Sequence, residues 1–303
     1  MEYTTLDGIS KPVSRLGMGT MVLSTQDLPF GFSLLDRFVE GGGTFIDTAH
    51  VYGGGDCEKA LGAWLKARGC REKVVVLDKG AHPTDRDRVN PEDMRSDIND
   101  NLDRLQTDYV DLWMMHRDDP KVPVGVLVDY LNSEVQAGRI RAFGCSNWSI
   151  RRIQEFQDHA ARTKQRGFSA NSPNVSLAVP NEPMWGGCVS LLGEDRKWHE
   201  KSGLPVIAWS AQAGGFFTGR YRPEVRDNPD AVRVYYSDQN FERLRRAQDL
   251  GKKKGCSANA IALAYVLCQP YPVLSLIGPR VLNEFDASFE ALGRAAVPPA
   301  HGE

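Results

Sequence analysis

Residues 74–116 read VVVLDKGAHPTDRDRVNPEDMRSDINDNLDRLQTDYVDLWMMH, and this stretch decides the fold. Two short apolar runs, at 74–79 and 109–116, are typical of buried strands. Between them, apolar side chains recur at helical spacing, at Met94, Ile98, Leu102 and Leu105. Asn90 and Pro91 supply the N-cap and first residue that favour a helix start, so a helix over 91–105 is predicted. The order strand, helix, strand indicates a βαβ unit with parallel strands.

The same alternation runs along most of the chain. Further strands are predicted at 15–19, 44–47, 140–146, 168–171, 205–210 and 273–277. An N-terminal hairpin is predicted to turn at Asp7-Gly8, because this dipeptide suits a tight turn. Asp56 is the predicted N-cap of the helix after the second barrel strand. Gly138 is a suitable C-terminal residue for a helix predicted over the apolar stripe from Val124 to Val135.

About eight strand–helix units in a chain of this length favour a (β/α)8 barrel, or TIM barrel, of the α/β class. Longer inserts at roughly 172–190 and 211–236 would form long loops after the sixth and seventh barrel strands. An open doubly wound sheet is the alternative fold. No linker rich in Pro, Ser or Gly divides the chain, so residues 1–303 are interpreted as a single domain.

The composition argues against several classes of protein. The 303 residues include 37 Lys and Arg against 39 Asp and Glu, a net charge of −2, which disfavours nucleic acid and membrane surfaces as partners. No apolar run approaches the roughly 18 residues of a membrane-spanning helix, and no signal peptide is recognisable. Six well-separated cysteines without a CxxC pair indicate reduced thiols and a cytoplasmic protein. The histidines show no HxH or HExxH spacing, so no metal site is predicted.

Ionisable residues end three successive predicted strands. Asp47, Lys79 and His116 end the second, third and fourth barrel strands, and Tyr52 follows in the loop after Asp47. Each of the three continues one face of its strand, since side chains alternate with a period of two. Active sites of such barrels lie at the carboxyl ends of the strands, so these side chains are expected to meet at one rim. The alternative is that each simply marks where a strand reaches water.

The combination also suits one kind of chemistry. A tyrosine hydroxyl with a pKa near 10 donates its proton poorly at neutral pH unless a neighbouring cation favours the phenolate. Lys79 beside Tyr52, with Asp47 pairing to the lysine, would supply that cation. His116 could then orient or polarise a substrate oxygen.

Four segments in this order resemble the aldo-keto reductases: GTFIDTAHVYGGG (43–55), VVVLDKG (74–80), DLWMMHRDD (111–119) and FGCSNWS (143–149). The resemblance covers nearly the whole chain. It implies a (β/α)8 barrel that reduces an aldehyde or ketone with NADPH. It also implies a catalytic tetrad of Asp47, Tyr52, Lys79 and His116, in which Tyr52 is the general acid and Lys79 lowers its pKa.

The sequence contains no Rossmann fingerprint. The same resemblance implies that the cofactor lies extended across the barrel mouth. Besides Asp47, the matching cofactor-binding positions divide by the part of the cofactor they would hold: Ser146, Asn147 and Ser172 the nicotinamide carboxamide, Trp209 the nicotinamide ring, Ser210, Ala211 and Gln212 the pyrophosphate, and Gly278, Arg280 and Glu284 the adenosine end. Gly19, Thr20 and Met21 match a loop that also lines the cofactor. A guanidinium at Arg280 suits a 2′-phosphate, which favours NADPH over NADH. Ser172, Ala211-Gln212, Glu284 and Ser288 depart from the residues usual at these positions, which weakens the NADPH assignment.

The substrate pocket is expected to include Tyr52 and His116 and to be lined by Met21, Val22, Trp148 and Trp185. Such aromatic walls suit a sugar-like, cyclic or hydrophobic carbonyl compound. Arg117 is interpreted as a solvated residue of the rim. His82, three residues after Lys79, is interpreted as a solvated loop residue, with lining of the substrate mouth as the alternative. Two alternative functions remain: a Schiff-base aldolase with Lys79 as nucleophile, and a cofactor-binding module like the potassium-channel beta subunits. The oligomeric state stays open.

Overall fold

The structure is a computed structural model that describes residues 1–295, so the last eight residues of the predicted single domain, 296–303, lie outside the described part. The chain begins with an antiparallel hairpin, formed by β1 (Tyr3–Thr4) and β2 (Val13–Ser14). Gly8 has a φ of 82°, a left-handed value that glycine adopts readily, so the predicted turn lies inside this hairpin.

Eight parallel strands then close into a barrel, in which each strand pairs with the next one along the chain and the last pairs with the first. They are β3 (Leu16–Gly19), β4 (Phe45–Asp47), β5 (Val75–Gly80), β6 (Val110–Met115), β7 (Ile140–Ser146), β8 (Asn171–Ser172), β9 (Val206–Ala208) and β10 (Val273–Ile277). The predicted (β/α)8 barrel is confirmed, and the closed sheet excludes the open alternative.

Helices pack around the outside of the barrel. They are α1 (Leu28–Glu40), α2 (Asp56–Arg68), α3 (Pro91–Leu105), α4 (Val124–Gln136), α5 (Ile150–Thr163), α6 (Gly193–Ser202), α7 (Pro229–Tyr235), α8 (Asp238–Lys254), α9 (Ala258–Leu267) and α10 (Glu284–Ala295). The helix predicted over 91–105 is α3, with the predicted bounds, and the Asn90 side chain accepts a hydrogen bond from the Asp93 N–H at 3.0 Å. None of the helices in the described part is long and apolar enough to cross a membrane.

One helix start differs from the prediction. Asp56 is the first residue of α2 rather than its N-cap, and the cap position is taken by Gly55 in a left-handed conformation. The reason lies in tertiary contacts: the Asp56 carboxylate accepts hydrogen bonds from Ser24 and Thr25 in the loop after β3. Its oxygens are therefore used to join two loops at the mouth of the barrel.

Alternation of side chains separates two apolar layers. On β5, Val75 and Leu77 point into the barrel, where they join a central cluster, whereas Val76 packs against the surrounding helices. Gly17 on β3 leaves room inside for Phe45, because a Cβ there would lie 2.5 Å from the phenyl ring. Leu6, Ile9 and the hairpin residue Val13 belong to the same central cluster, so the N-terminal hairpin closes one end of the barrel.

The other end of the barrel carries the long loops. The segments after β8 and β9 extend over 173–192 and 209–228, which confirms the two long loops predicted after the sixth and seventh barrel strands. The second one leads into α7, which Asn228 caps and Pro229 begins. The carboxyl ends of all eight strands, and hence the predicted site residues, lie at this open end.

Candidate active site

Lys79 is the centre of a hydrogen-bonded group at the end of β5. Its Nζ donates to Asp47 Oδ1 at 2.5 Å, to the Thr48 carbonyl oxygen at 2.9 Å and to Tyr52 Oη at 3.2 Å. Lys79 and Asp47 are 3 % and 2 % exposed. They are neighbours because Asp47 pairs with Leu77 in the parallel register and Lys79 is the next inward residue of its strand. All three ammonium donors are therefore directed to oxygen atoms.

Electrostatics fix the charge of this lysine. Burial is the largest single effect and acts to lower the pKa of Lys79, but the charges of Asp47 and Tyr52 and the hydrogen bonds to both together outweigh it, so the pKa lies above its ordinary value. Burial raises the pKa of Asp47, and the ammonium group opposes that change. Lys79 is consequently an ammonium ion throughout the physiological range of pH.

Tyr52 keeps its proton in this environment. Burial raises the pKa of its phenol above the ordinary value, while the positive charge of Lys79 pulls it in the opposite direction. The lysine thus acts with the expected sign, but burial has the larger effect in this structure. A protonated phenol beside an ammonium ion is equipped to donate a proton.

His116 follows the end of β6 and lies edge-on to Tyr52, with 5.9 Å between the ring centroids. Its backbone N–H donates to the Gly80 carbonyl oxygen at 2.8 Å, which joins it to β5. Burial, together with the positive charges of Lys79 and Arg117, lowers the pKa of His116 well below its ordinary value. The imidazole is therefore neutral at neutral pH, and its buried Nδ1 lacks a hydrogen-bond partner among residues 1–295.

The loop that carries Tyr52 depends on three glycines. Gly53, Gly54 and Gly55 have φ values of 57°, 62° and 93°, a left-handed run that other residues adopt only with strain. Arg104 of α3 packs against Gly55, where a Cβ would lie 2.6 Å from the guanidinium carbon. The same guanidinium donates to the His50 carbonyl oxygen at 3.1 Å, so α3 fixes the loop from behind.

Two carboxyl groups lie directly behind the lysine, where the sequence did not predict them. Asp78 and Glu58 are both fully buried. Glu58 accepts hydrogen bonds from Asn101 Nδ2 at 2.7 Å and Arg104 Nη1 at 2.8 Å, and Asp78 accepts from the Lys79 N–H at 2.8 Å. Burial and then the charge of Glu58 raise the pKa of Asp78 well above its ordinary value, which favours the protonated carboxyl group. The sequence did contain one signal for this group, since Asp78 is an acidic residue on the otherwise apolar outward face of β5.

The opposite half of the mouth carries the residues predicted to hold the nicotinamide. Ser146 Oγ donates to the Ser172 carbonyl oxygen at 2.8 Å, Asn147 Nδ2 donates to Ser146 Oγ at 2.9 Å, and Ser172 Oγ donates to the Ile207 carbonyl oxygen at 2.8 Å. These three polar side chains form one connected group across β7, β8 and β9. Asn147 has a left-handed φ of 62°, an uncommon conformation for a residue other than glycine.

Two buried polar atoms in this half fit a nicotinamide cofactor. Thr20 Oγ1, just after β3, and Trp209 Nε1, just after β9, are shielded from solvent and have no hydrogen-bond partner in the described chain. Buried donors and acceptors are nearly always paired, so unpaired ones point to a partner supplied by a ligand. Of their neighbours, Gly19 ends β3, Met21 is 60 % exposed and Val22 is partly buried.

The loop after β9 contains the predicted pyrophosphate residues. Ser210 has a φ of 50°, and Gly214 has open space around its missing side chain. Ala211 is fully buried, so only its backbone could face a ligand. Gln212 Nε2 reaches Ser288 Oγ of α10 at 3.5 Å and links this loop to the last helix.

The predicted adenosine end follows β10. Gly278 and Arg280 are exposed, and the Arg280 backbone N–H donates to Glu284 Oε2 at 2.6 Å. The Arg280 guanidinium has no ion-pair partner among residues 1–295, and so it is available to an anionic group.

The two tryptophans predicted to line the pocket lie in different places. Trp185, in the long loop after β8, is 51 % exposed and lies 6.0 Å from the Trp209 ring. Trp148 is only 1 % exposed, because its ring packs edge-on against Phe156 and Phe168. Trp148 therefore contributes to the core between β7 and α5 and offers no surface to a substrate, contrary to the prediction.

Arg117 lies closer to the site than the sequence indicated, and His82 lies near His116, in keeping with the alternative that it lines the mouth. The His82 ring lies 5.0 Å from the His116 ring, and Arg117 Nη1 donates to the His116 carbonyl oxygen at 2.8 Å. Both side chains are partly buried. The signal that could have found them is their position, since each follows a strand end within three residues of Lys79 or His116.

Comparisons with known proteins point to one family. The model of the aldo/keto reductase family matches residues 15–297. Among curated proteins, the uncharacterized oxidoreductase YrpG of Bacillus subtilis is 29 % identical over 96 % of this chain and 91 % of its own length. The norsolorinic acid reductase stcV of Emericella nidulans is 28 % identical over 91 % of this chain and 71 % of its own length.

Solved structures give the same result for the fold. The glycerol dehydrogenase of Gluconobacter oxydans superimposes with a TM-score of 0.77 at 25 % identity, over 96 % of this chain and 90 % of that one. The thermostable aldo-keto reductase Tm1743 superimposes with a TM-score of 0.74 at 20 % identity, over 99 % of this chain and 96 % of that one.

Proposed function

This chain belongs to the aldo/keto reductase family, and we propose that it reduces an aldehyde or ketone to an alcohol with NADPH, using Tyr52 as the general acid. The observation that carries the proposal is the hydrogen-bonded series Tyr52, Lys79, Asp47 at the mouth of the barrel, with 3.2 Å and 2.5 Å between successive polar atoms. Relatives named as oxidoreductases and reductases support carbonyl reduction in general.

The roles of the four residues follow from their charges. The protonated Tyr52 hydroxyl donates its hydrogen to the carbonyl oxygen, and the neighbouring Lys79 ammonium stabilises the phenolate that this leaves. Asp47 holds Lys79 in place and balances its charge. The neutral His116 ring supplies a hydrogen bond that orients the same carbonyl oxygen. When bound, NADPH supplies the hydride that the carbonyl carbon accepts.

The residues proposed to hold the cofactor lie along β7 to β10 and β3. Ser146, Asn147 and Ser172 would face the carboxamide and Trp209 the nicotinamide ring. The adenosine end would meet Gly278 and Arg280. The exposed, unpaired guanidinium of Arg280 supports NADPH over NADH, since a guanidinium matches the doubly charged 2′-phosphate.

The geometry disfavours the aldolase alternative. A Schiff-base lysine must be a neutral amine when it attacks a carbonyl carbon. Lys79 has all three donors engaged and its pKa raised beside Asp47. Borohydride trapping with a carbonyl compound should therefore give no stable adduct at Lys79.

Replacing Tyr52 tests the assignment of the acid. Tyr52→Phe removes one hydroxyl and should lower kcat for carbonyl reduction about 10²–10⁴-fold, the usual contribution of a positioned general acid. The measurement is NADPH absorbance with a panel of aldehydes and ketones, sugar-derived ones included. Binding of NADPH, followed by protein fluorescence, should stay within about 3-fold, since a loss of less than 0.7 kcal/mol is expected for a group outside the cofactor contacts. Turnover close to wild type would refute the role of Tyr52.

Arg280 tests the choice of cofactor. Arg280→Ala should raise KM for NADPH about 10- to 100-fold, the loss expected for a charge-assisted hydrogen bond, and leave KM for NADH nearly unchanged. A matched variant is Arg243→Ala on α8, which should affect neither cofactor. Equal effects of Arg280→Ala on both cofactors would argue against a 2′-phosphate contact.

A further inference from the structure

Arg117 is a cation without a counter-charge at the mouth of the barrel. Its guanidinium is partly buried, and its Nη1 and Nη2 donate to the His116 carbonyl oxygen at 2.8 Å and to Cys188 Sγ at 3.5 Å. Within residues 1–295 no carboxylate lies within ion-pair distance of it. The adjacent Asp118 is engaged elsewhere, with its carboxylate 3.3 Å from Arg152. Arg117 thus holds a charge that the protein itself does not neutralise.

The positive charge of Arg117 acts on the catalytic groups. Burial lowers the pKa of His82 and of His116, and the charge of Arg117 lowers both further. Arg117 also opposes the raised pKa that burial gives to Tyr52. Its guanidinium contacts the His116 carbonyl oxygen at 2.8 Å, and the His116 ring lies 5.9 Å from the Tyr52 ring and 5.0 Å from the His82 ring, so Arg117 lies beside the space that a substrate would occupy.

In the described part of the chain, the groups around Arg117 bring no uncompensated negative charge to this part of the mouth. The His82 Nδ1 lies 2.7 Å from the Pro83 carbonyl oxygen, so this nitrogen carries the hydrogen, and Nε2 has no hydrogen-bond partner among residues 1–295. The carboxylate of Asp47 is already neutralised by Lys79 at 2.5 Å. An anion that enters the mouth would therefore meet Arg117 without repulsion from a neighbouring free carboxylate.

We propose that Arg117 determines substrate specificity by binding an anionic oxygen group, a carboxylate or a phosphate, on the carbonyl compound that is reduced. A guanidinium offers five N–H donors in a fork that matches these anions, and two of them are used by the protein. A partly buried cation without a partner is costly, and an acidic substrate would relieve that cost. This inference rests on the proposed carbonyl reduction.

The test compares charged and neutral aldehydes of one shape. The probes are para-carboxybenzaldehyde, its methyl ester and para-formylphenyl phosphate. The wild-type kcat/KM should be about 10-fold or more higher for an acidic aldehyde than for the ester. A higher kcat/KM for para-carboxybenzaldehyde would indicate a carboxylate substrate, and a higher kcat/KM for para-formylphenyl phosphate would indicate a phosphate substrate. Arg117→Gln should reduce that ratio about 10- to 100-fold, mainly through KM, as expected for a hydrogen bond to a charged group. Arg117→Lys, which keeps the charge but not the fork, should retain part of it.

Arg151→Gln is the matched control, because it removes an exposed cation from the start of α5 and leaves the mouth untouched. It should keep the wild-type ratio of acid to ester. Equal wild-type efficiency on the acids and the ester would overturn the inference. So would a ratio that Arg117→Gln leaves unchanged, since a purely structural arginine would lower the efficiency for both substrates alike.

A binding measurement keeps the inference testable apart from turnover. Benzoate and phenyl phosphate, titrated into the wild type with NADPH present, should bind more tightly than benzamide, and added salt should weaken them. If the anions bind the wild type no better than benzamide does, the inference is overturned. This titration uses only the wild type, so it decides the point even if Arg117→Gln fails to fold. If the wild type reduces none of the aldehydes, the proposed function fails while the anion titration still decides the role of Arg117.

Discussion

At the scale of single residues, the site depends on where protons reside. Tyr52 and His116 are both uncharged at neutral pH, since burial raises the pKa of the phenol and lowers that of the imidazole. Lys79 retains its charge because Asp47 lies 2.5 Å away. Behind them, Asp78 holds a proton because it shares a fully buried space with Glu58. Among Tyr52, His116, Lys79 and Asp47, the charge therefore resides on the Lys79–Asp47 pair beside the phenol.

The buried proton on Asp78 can be tested by the pH dependence of stability. Because the folded-state pKa is raised above the unfolded value, the folded protein holds a proton that the unfolded chain lacks, and this contribution to stability falls as pH rises. Asp78→Asn removes the titration, so its stability relative to wild type should rise by on the order of 1 kcal/mol or more between about pH 5.5 and about pH 8.5. Urea unfolding at both values provides the measurement, with the exposed Asp108→Asn as control. A difference that does not change with pH would show that Asp78 is ionised in the folded protein.

At the scale of elements, α3 does more than cover the barrel. Asn101 and Arg104 project from one of its faces and hold Glu58 at the start of α2. Arg104 also holds the His50 carbonyl oxygen, so a single helix connects β4, the loop of Tyr52 and α2. The position of the phenol is thereby determined by a residue of the following βα unit.

Arg104→Gln tests this connection. The variant leaves Glu58, which is fully buried, without its cation, and the free energy of unfolding should fall by about 3 kcal/mol. We also expect a lower kcat, because the loop over 48–55 loses the contact that fixes it. Arg246→Gln is the control, since it breaks a pair in which the arginine is 74 % exposed and should cost less than about 0.5 kcal/mol. Similar small losses in both variants would contradict the role given to Arg104.

Elements governed by local rules could be predicted from the sequence. The α3 bounds follow from Asn90, Pro91 and an apolar stripe, and β5 and β6 follow from apolar runs buried on both faces. The sequence also predicted a common site for Asp47, Lys79 and His116, because side chains alternate along a strand and this alternation places all three on inward faces. The short strand β8 (Asn171–Ser172) is polar, and the run at 168–171 predicted it with an offset.

Features that depend on distant partners could not be predicted. Helix α7 was not predicted, although Asn228 and Pro229 give the same start signal as Asn90 and Pro91. Only its packing, with the Tyr235 ring 6.1 Å from the Phe216 ring of the same insert, depends on a distant partner. Asp56 was predicted as the N-cap of α2, but its carboxylate instead accepts a hydrogen bond from Ser24, which lies 32 residues earlier in the chain. Arg104 donates a hydrogen bond to the His50 carbonyl oxygen, 54 residues earlier in the chain. The uncompensated charge of Arg117 could be recognised only once the positions of the nearby carboxylates were known.

At the scale of the whole molecule, the two ends of the barrel have separate tasks. The loops at the carboxyl ends of the strands hold the tetrad and the proposed cofactor groove. The hairpin at the other end places Leu6, Ile9 and Val13 against the inward residues of the strands. Residues at that end of such barrels contribute to stability rather than to chemistry. Damage to the hairpin should therefore change stability and leave the catalytic constants of the folded protein intact.

Leu6→Asp tests this separation. Leu6 is 3 % exposed, and a carboxylate in its place would lie unpaired among apolar side chains, so the free energy of unfolding should fall by about 3–5 kcal/mol. Val126→Asp, at a position of α4 that is 42 % exposed, is the matched control and should stay within about 0.5 kcal/mol of wild type. Thermal unfolding gives the stabilities, and NADPH absorbance well below the transition gives kcat and KM. Because the tetrad lies at the opposite end of the strands, KM for an aldehyde should stay within about 2-fold of wild type for Leu6→Asp, a difference of less than 0.5 kcal/mol. A large rise in KM at temperatures where the variant is folded would mean that the hairpin is coupled to the mouth.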